Sequence, residues 1–443
     1  MKLYLSTFVA SLVSLLNDAN ALNVKIFGLN YSARIGADWL PENEKCKSAA
    51  QIQKDMYAIK GVTDIVRIYS LVDCNLAEII LPAARNAGLR VQLGIWTTAR
   101  YSSLAGEKAK LTSLIDSGIY QDSLVVGLHV GSETMYREEI DVNTAISYMN
   151  EIRDFLHSRG KYIPVSIADV INVYNANPQL VDAVDEVVVN QFSFWENIDV
   201  TEAAARTLDR LKNLRILCAE KGKPMRIGET GWSSSGEEVT ASAATPENQA
   251  KFFSDFYRMA HAHNFEYYWY VAFDSDWRRI IGEKEVEASF GIFKEDDTMK
   301  SNFDQLNITL LDKRAIRNVG SNLLLSENNG AVYMSAKSND WLVQEQQIWF
   351  FDPVTLQIRS MSSDRCLDAY QPWDGSIVYV YRCLDYEGNQ KWGYNSQTGQ
   401  IRHLKHVGFC LDTDPLQENK VQLYGCSDNN PNQMWAVIDP SSI

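Results

Sequence analysis

Between residues 22 and 295, eight short apolar runs alternate with amphipathic stretches, and few folds accept that pattern. The runs fall at 25–31, 65–70, 90–96, 124–133, 163–169, 186–192, 224–232 and 267–274. Several are nearly continuous in Val, Ile and Leu, as parallel strands covered on both faces must be. The intervening stretches, such as 143–159, 202–221 and 246–263, carry apolar residues at helical spacing. Thr245 is placed to cap the last of these, with Pro246 in its first turn. Eight βα repeats in about 270 residues predict an α/β protein with a (β/α)8 TIM barrel, whose reactive groups gather at the C-terminal ends of the strands.

Two of the eight runs close on glutamate. Glu133 ends Leu128-His129-Val130-Gly131-Ser132, and Glu229 follows Arg226-Ile227-Gly228. On strands four and seven the two carboxylates would face each other across the barrel mouth. Cleavage of a glycosidic bond needs a proton for the departing oxygen and negative charge against an oxocarbenium-like centre, which a pair of carboxyls supplies.

At 443 residues the chain exceeds one barrel, so a second domain is expected. After about residue 305 the texture changes to short β and turn signals. Gln347-Ile348-Trp349, Gln390-Lys391-Trp392 and Gln433-Met434-Trp435 recur 43 residues apart, which reads as three copies of one supersecondary unit. Each Trp would enter a shared core, and each Gln would hold a neighbouring backbone. The boundaries expected are 1–21 for a signal peptide, 22–305 for the barrel, 306–314 for a linker and 315–443 for an all-β domain.

The signal peptide rests on Lys2, an apolar run from Leu3 to Leu16 and the small residues Ala19 and Ala21. The run is too short to span a bilayer. A secreted protein acting outside the cell or in a cell wall is therefore expected, and its seven cysteines suit that oxidising setting. Cys366 with Cys383 and Cys410 with Cys426 follow the same local pattern and predict two disulfides, with Cys46 and Cys74 as a third. Cys218 is left as a buried helix thiol. No cysteine has metal-ligand spacing with the six histidines, so no metal and no cofactor are expected. A net charge of −14 argues against nucleic acid and anionic membranes as partners. The chain is expected to act as a monomer. Asn307-Ile308-Thr309 and Asn30-Tyr31-Ser32 match the N-glycosylation motif, the second inside an expected strand.

The barrel region resembles glycoside hydrolase family 17, the β-1,3-glucanases, and its fungal and oomycete branch in particular. The resemblance is carried by Val66-Arg67-Ile68-Tyr69 with Asp73-Cys74-Asn75, and by Val91-Gln92-Leu93-Gly94-Ile95-Trp96. Two further stretches carry it, Val130-Gly131-Ser132-Glu133-Thr134-Met135-Tyr136-Arg137 and Gly228-Glu229-Thr230-Gly231-Trp232-Ser233-Ser234. It implies a retaining, endo-acting mechanism on β-1,3-glucan, with Glu133 as acid/base and Glu229 as nucleophile. Ser132 stands where many members carry Asn, and Ser275 and Arg278 stand where Glu and Lys are usual. These changes bear on rate and linkage preference more than on reaction class.

Pyranose faces stack on aromatic rings, and several aromatics fall at strand ends. Of these Tyr31, Trp195 and Trp232 are the expected substrate contacts, with Asn190 as a hydrogen-bonding partner for a sugar hydroxyl.

The three QxW copies, with Cys366-Leu367-Asp368 and Cys410-Leu411-Asp412, resemble the ricin-B-type β-trefoil lectins. That resemblance implies a sugar site of Asp368, Tyr381 and Asn389 in the second copy, and of Asp412, Tyr424 and Asn432 in the third. The first copy has no corresponding acid and is expected not to bind. The whole reads as a secreted endo-β-1,3-glucanase carried to polysaccharide by a lectin module. One alternative is a β-1,3-glucanosyltransferase that remodels wall glucan; another is a carbohydrate-binding protein whose barrel has lost catalysis.

Overall fold

The computed structural model describes residues 22–442; the expected signal peptide lies outside them. Eight parallel strands close into a barrel in sequence order. They are β1 (Gly28–Asn30), β2 (Ile65–Arg67), β3 (Arg90–Ile95), β4 (Val125–Ser132), β5 (Val165–Val170), β6 (Val187–Asn190), β7 (Met225–Thr230) and β8 (Glu266–Trp269). Each lies within or against one of the apolar runs. Burial on both faces explains why those runs lack polar alternation: β2, β6 and the inner residues of β3 are wholly covered.

The connecting helices form where periodicity and caps agree. Ser48 and Gln51 make a reciprocal capping box on Ala49–Lys60. Asp141 accepts two backbone N–H groups at the start of Val142–Ser158. Thr245 accepts from Asn248 N at the start of Pro246–His263, with the proline in the first turn. The eighth repeat departs from the pattern. After β8 come the short helical turns Trp277–Ile280, Glu285–Ser289 and Ser301–Asp304 in place of a long helix, so the cleft wall beside the first two is largely loop.

The C-terminal domain is built from short antiparallel strands. Its core gathers Trp349, Trp392 and Trp435 with Ile316, Leu325 and Leu411. Each indole N–H donates to a leucine carbonyl, of Leu325, Leu367 and Leu411 in turn, at 2.8–2.9 Å. Each QxW glutamine holds a neighbouring backbone carbonyl, of Ala336, Arg382 and Gly425. The opening strand Lys313–Asn318 begins inside the stretch read as linker, and it pairs antiparallel with the last strand, Trp435–Ile438. First and last strands thus close the domain.

The three disulfides are Cys46–Cys74, Cys366–Cys383 and Cys410–Cys426, and Cys218 is a buried thiol in the helix Ala203–Glu220. Asn30 is wholly buried at the end of β1, bonded to the Arg67 guanidinium, so it is no acceptor for a glycan. Asn307 is exposed, and its side-chain oxygen accepts from Asn23. No helix among the described residues is long and apolar enough to cross a membrane.

The two domains meet along Ala203–Glu220 and Pro246–His263. Glu345 of the C-terminal domain takes both terminal nitrogens of Arg215, at 2.7 and 3.2 Å, and lies 3.0 Å from His263 Nδ1. His263 Nε2 reaches the Met361 carbonyl, and Ala262, Phe350 and Met361 form a small apolar contact beside it. Arg365 adds an ion pair to Asp209 at 2.8 Å.

Candidate active site

Both glutamates sit where regular strand geometry breaks. The β4–β5 register shifts between His129 and Ser132, and the β7–β8 register shifts between Ile227 and Thr230. A bulge at a strand end re-aims the side chains beyond it. Gly131 and then Glu133 take left-handed backbone, φ 83° and 57°, as the chain leaves β4. For glycine that conformation is free, and for glutamate it is strained. Several bonds hold it: Glu133 N donates to Ala168 O, Arg137 Nη1 to Ser132 O, and Met135 N to the buried Asp169 carboxylate.

The two carboxylates have unlike surroundings. Glu229 Oε1 lies 3.0 Å from Arg67 Nη1 and accepts from Ser132 Oγ at 3.3 Å. Arg67 rises from β2 into the barrel interior, almost wholly buried, where it also donates to Asn30 Oδ1, Gly228 O and His129 Nδ1. Burial pushes His129 down to about 4, so its neutral ring can accept that bond. No cation among the described residues is hydrogen-bonded to Glu133; its Oε1 accepts from Asn190 Nδ2 at 2.8 Å. Burial, then the nearby charge of Glu229, push the Glu133 carboxyl up to about 7, against the Asn190 bond, which pulls it down. One carboxyl is thus set up to carry a proton near neutrality and the other to sit against a buried positive charge, the division that general-acid and nucleophilic roles demand.

Both line a cleft of about 750 Å³ with Tyr69, Trp96, Tyr270 and Trp277. Trp96 is 38% exposed and carries Arg137 over its ring at 4.7 Å. Its backbone N–H donates to the buried Glu107, which also takes Leu71 N and Ser70 Oγ and so ties the loops after β2 and β3 together.

The aromatic expectations need correction. Trp232 has no exposed surface: its indole donates to Ala243 O and its rings pack on Phe194 and Phe252. Past the bulge in β7 the chain turns this side chain under the loops, into the core. Tyr31 reaches the cleft wall but is fully covered, its hydroxyl donated to Asp55 at 2.5 Å and its ring edge-on to Phe273. Trp195 lies outside the cleft lining and packs against Phe194 and Phe290. Asn190 spends its amide nitrogen on Glu133, and its Oδ1 has no partner among the described residues.

No place in the active site was expected from the sequence for Arg67, Asn30, Asp169 or Glu107. A charged residue inside an apolar strand, as in Ile65-Val66-Arg67, was the available signal, because such a side chain needs a buried partner.

In the C-terminal domain, strand register sets the three lobes side by side. Cys366 pairs with Tyr381, and Cys410 with Tyr424. In the second lobe Asp368 is buried, Oδ2 accepting from Gln390 and Oδ1 unpaired among the described residues. Asn389 is buried there, its Oδ1 taken by Lys405 at 2.8 Å. In the third lobe Asp412 Oδ1 accepts from Gln422, and Asn432 lies in the adjoining turn Pro431–Gln433. Tyr381 and Tyr424 are 46% and 42% exposed. In the first lobe Leu324 pairs with Ser335, and Ser326 occupies the place of the acid. Ser326 and Ser335 hydroxyls bond each other at 2.7 Å.

Residues 28–291 match the BtgE/BtgC glycoside hydrolase domain, and residues 312–435 match the ricin-type beta-trefoil lectin domain. The chain is 29% identical over 273 residues to a glucan 1,3-beta-glucosidase of Saccharomyces cerevisiae, covering 58% of this chain and 86% of that one. It is 28% identical to a glucan 1,3-beta-glucosidase of Candida albicans, over 67% of this chain and 97% of the other. Among solved structures, a glycoside hydrolase family 17 beta-1,3-glucanosyltransferase from Rhizomucor miehei aligns at 29% identity and a TM-score of 0.55. That match covers 64% of this chain and 97% of that one.

Proposed function

The chain belongs to the BtgE/BtgC glycoside hydrolase family and carries a ricin-type lectin domain, and on that premise we propose that it cleaves β-1,3-glucan as a retaining endo-glucanase. The observation that carries this reading is the unlike pair of carboxyls in one cleft, Glu133 pushed up to about 7 and Glu229 against Arg67. Glu133 protonates the glycosidic oxygen while Glu229 attacks the anomeric carbon, giving a glycosyl-enzyme and a released glucan end. Glu133, now a carboxylate, then takes a proton from water, whose oxygen attacks the anomeric carbon and frees Glu229. Asn190 and the Asp169-anchored turn keep the acid aimed through both steps. Trp96 is the exposed ring best placed for stacking a glucosyl unit.

The lectin domain holds the enzyme on insoluble polymer through its second and third lobes. Even millimolar sites raise local substrate concentration when tethered to the catalyst. The substrate class and the relatives' names support action outside the cell or in a cell wall.

The likeness to a glucanosyltransferase favours a second reading, in which a glucan hydroxyl replaces water in the second step. A time course on laminarihexaose, with products separated by size and Glu229→Gln as control, decides between them. Shorter products alone establish hydrolysis, products longer than the substrate establish transfer, and no Glu229-dependent change sinks both.

A further inference from the structure

A second cavity, of about 520 Å³, lies between the domains, away from the catalytic cleft. One wall is the outer face of the helix Ala203–Glu220, with Asp209 and Lys212; the other belongs to the first two lobes of the lectin domain. Tyr381, the ring implied for sugar stacking in the second lobe, stands in this wall with about half its surface exposed. Its third-lobe counterpart, Tyr424, is no part of that lining.

Three features describe what the cavity accepts. Its four carboxylates are matched by four cationic side chains, so it offers no net charge to an anion. Ser363 Oγ and Arg382 Nε, buried in its walls, have no hydrogen-bond partner among the described residues. Charged groups reach across it, Arg365 to Asp209 and Lys212 to Asn329, with their outer faces still exposed for hydroxyl groups. Dense donors and acceptors without net charge, beside a half-exposed aromatic ring that Arg382 approaches to 5.7 Å, are the chemistry of a neutral polyol.

We propose that this crevice is a carbohydrate site built jointly by the two domains, taking a neutral glucan segment that stacks on Tyr381 and continues along the helix Ala203–Glu220. It rests on the reading of the second lobe as saccharide-binding, of whose expected residues Tyr381 lines the crevice and Asp368 and Asn389 do not, and it adds the barrel helix as a facing wall. The second lobe then binds only in the full chain, whereas the third binds alone. The loop leaving β6, whose last residue Asn190 bonds Glu133, leads to Glu202 in the crevice wall.

Photo-labelling of the full-length Glu229→Gln protein with diazirine-bearing laminarihexaose, mapped by peptide mass spectrometry, tests this. The expected result is label on both the Ala203–Glu220 helix and the Tyr381 strand, reduced at least tenfold by Tyr381→Ala and by Lys212→Trp, which fills the crevice. Thermal midpoints confirm that the variants fold. Label on the Tyr381 strand but not on the helix, needing no variant at all, overturns the joint site and leaves the lectin reading intact. A Lys212→Trp protein that folds and labels normally overturns the joint site in the same way. Absence of label from the second lobe, while the third is labelled, overturns both the crevice and that lobe's role in sugar binding.

Discussion

Glu133 depends on a few atoms that set its proton affinity, and each has a signed consequence. The acid must enter the reaction protonated, so kcat/KM should fall tenfold per pH unit as pH rises past about 7. The Asn190 bond lowers that value, so Asn190→Ala should move the alkaline limb to higher pH while kcat drops about 10²-fold through lost aim. A pH–rate profile of the two proteins checks both, and a limb that stays in place would mean that Glu133 is not the titrating acid. Glu229→Gln removes the attacking oxygen and should cost roughly 10⁴-fold or more in turnover, read from initial rates on laminarin.

At the scale of the strand and helix, two tryptophans separate what a chain reveals from what it hides. Trp232→Ala should destabilise the barrel by about 4 kcal/mol, because it empties a buried indole site, and calorimetric unfolding reads this directly. Trp96→Ala should leave the thermal midpoint within a degree or two and raise KM several-fold on laminarihexaose. The eight strands, the capped helices, the disulfides and the Trp-centred repeats were legible because burial, period and capping are local and redundant. The bulges were not: a one-residue shift leaves no mark on hydrophobicity yet decides where Trp232 points. Nor were the partners of Arg67 legible, since they come from β1, β4 and β7, far apart in sequence. Tyr31 misled for a related reason. It stands at a strand end, but Asp55 from a neighbouring helix claims its hydroxyl.

For the molecule as a whole, Glu345 is the hinge pin. Burial alone would raise its carboxyl, yet His263 and Arg215 hold it down to about 2. A carboxyl depressed in the folded state contributes stability above its unfolded value near 4.3, and the contribution is lost as pH falls from there toward 2. The domain contact should therefore loosen in that window. Glu345→Ala, which strands Arg215 and His263, should cost about 3 kcal/mol at neutral pH. Two resolved transitions in calorimetry where the parent shows one would mark the uncoupling.

The pairing of Lys313–Asn318 with Trp435–Ile438 also sets an order of events. A ribosome delivers the barrel complete while the lectin domain still lacks the strand its opening segment must lie against. For the whole of that interval the segment has an unpaired edge beside a finished enzyme. A nonsense codon shortly before Trp435 should therefore leave a working barrel trailing a chain that cannot close, and limited proteolysis would trim that chain back to the neighbourhood of residue 313.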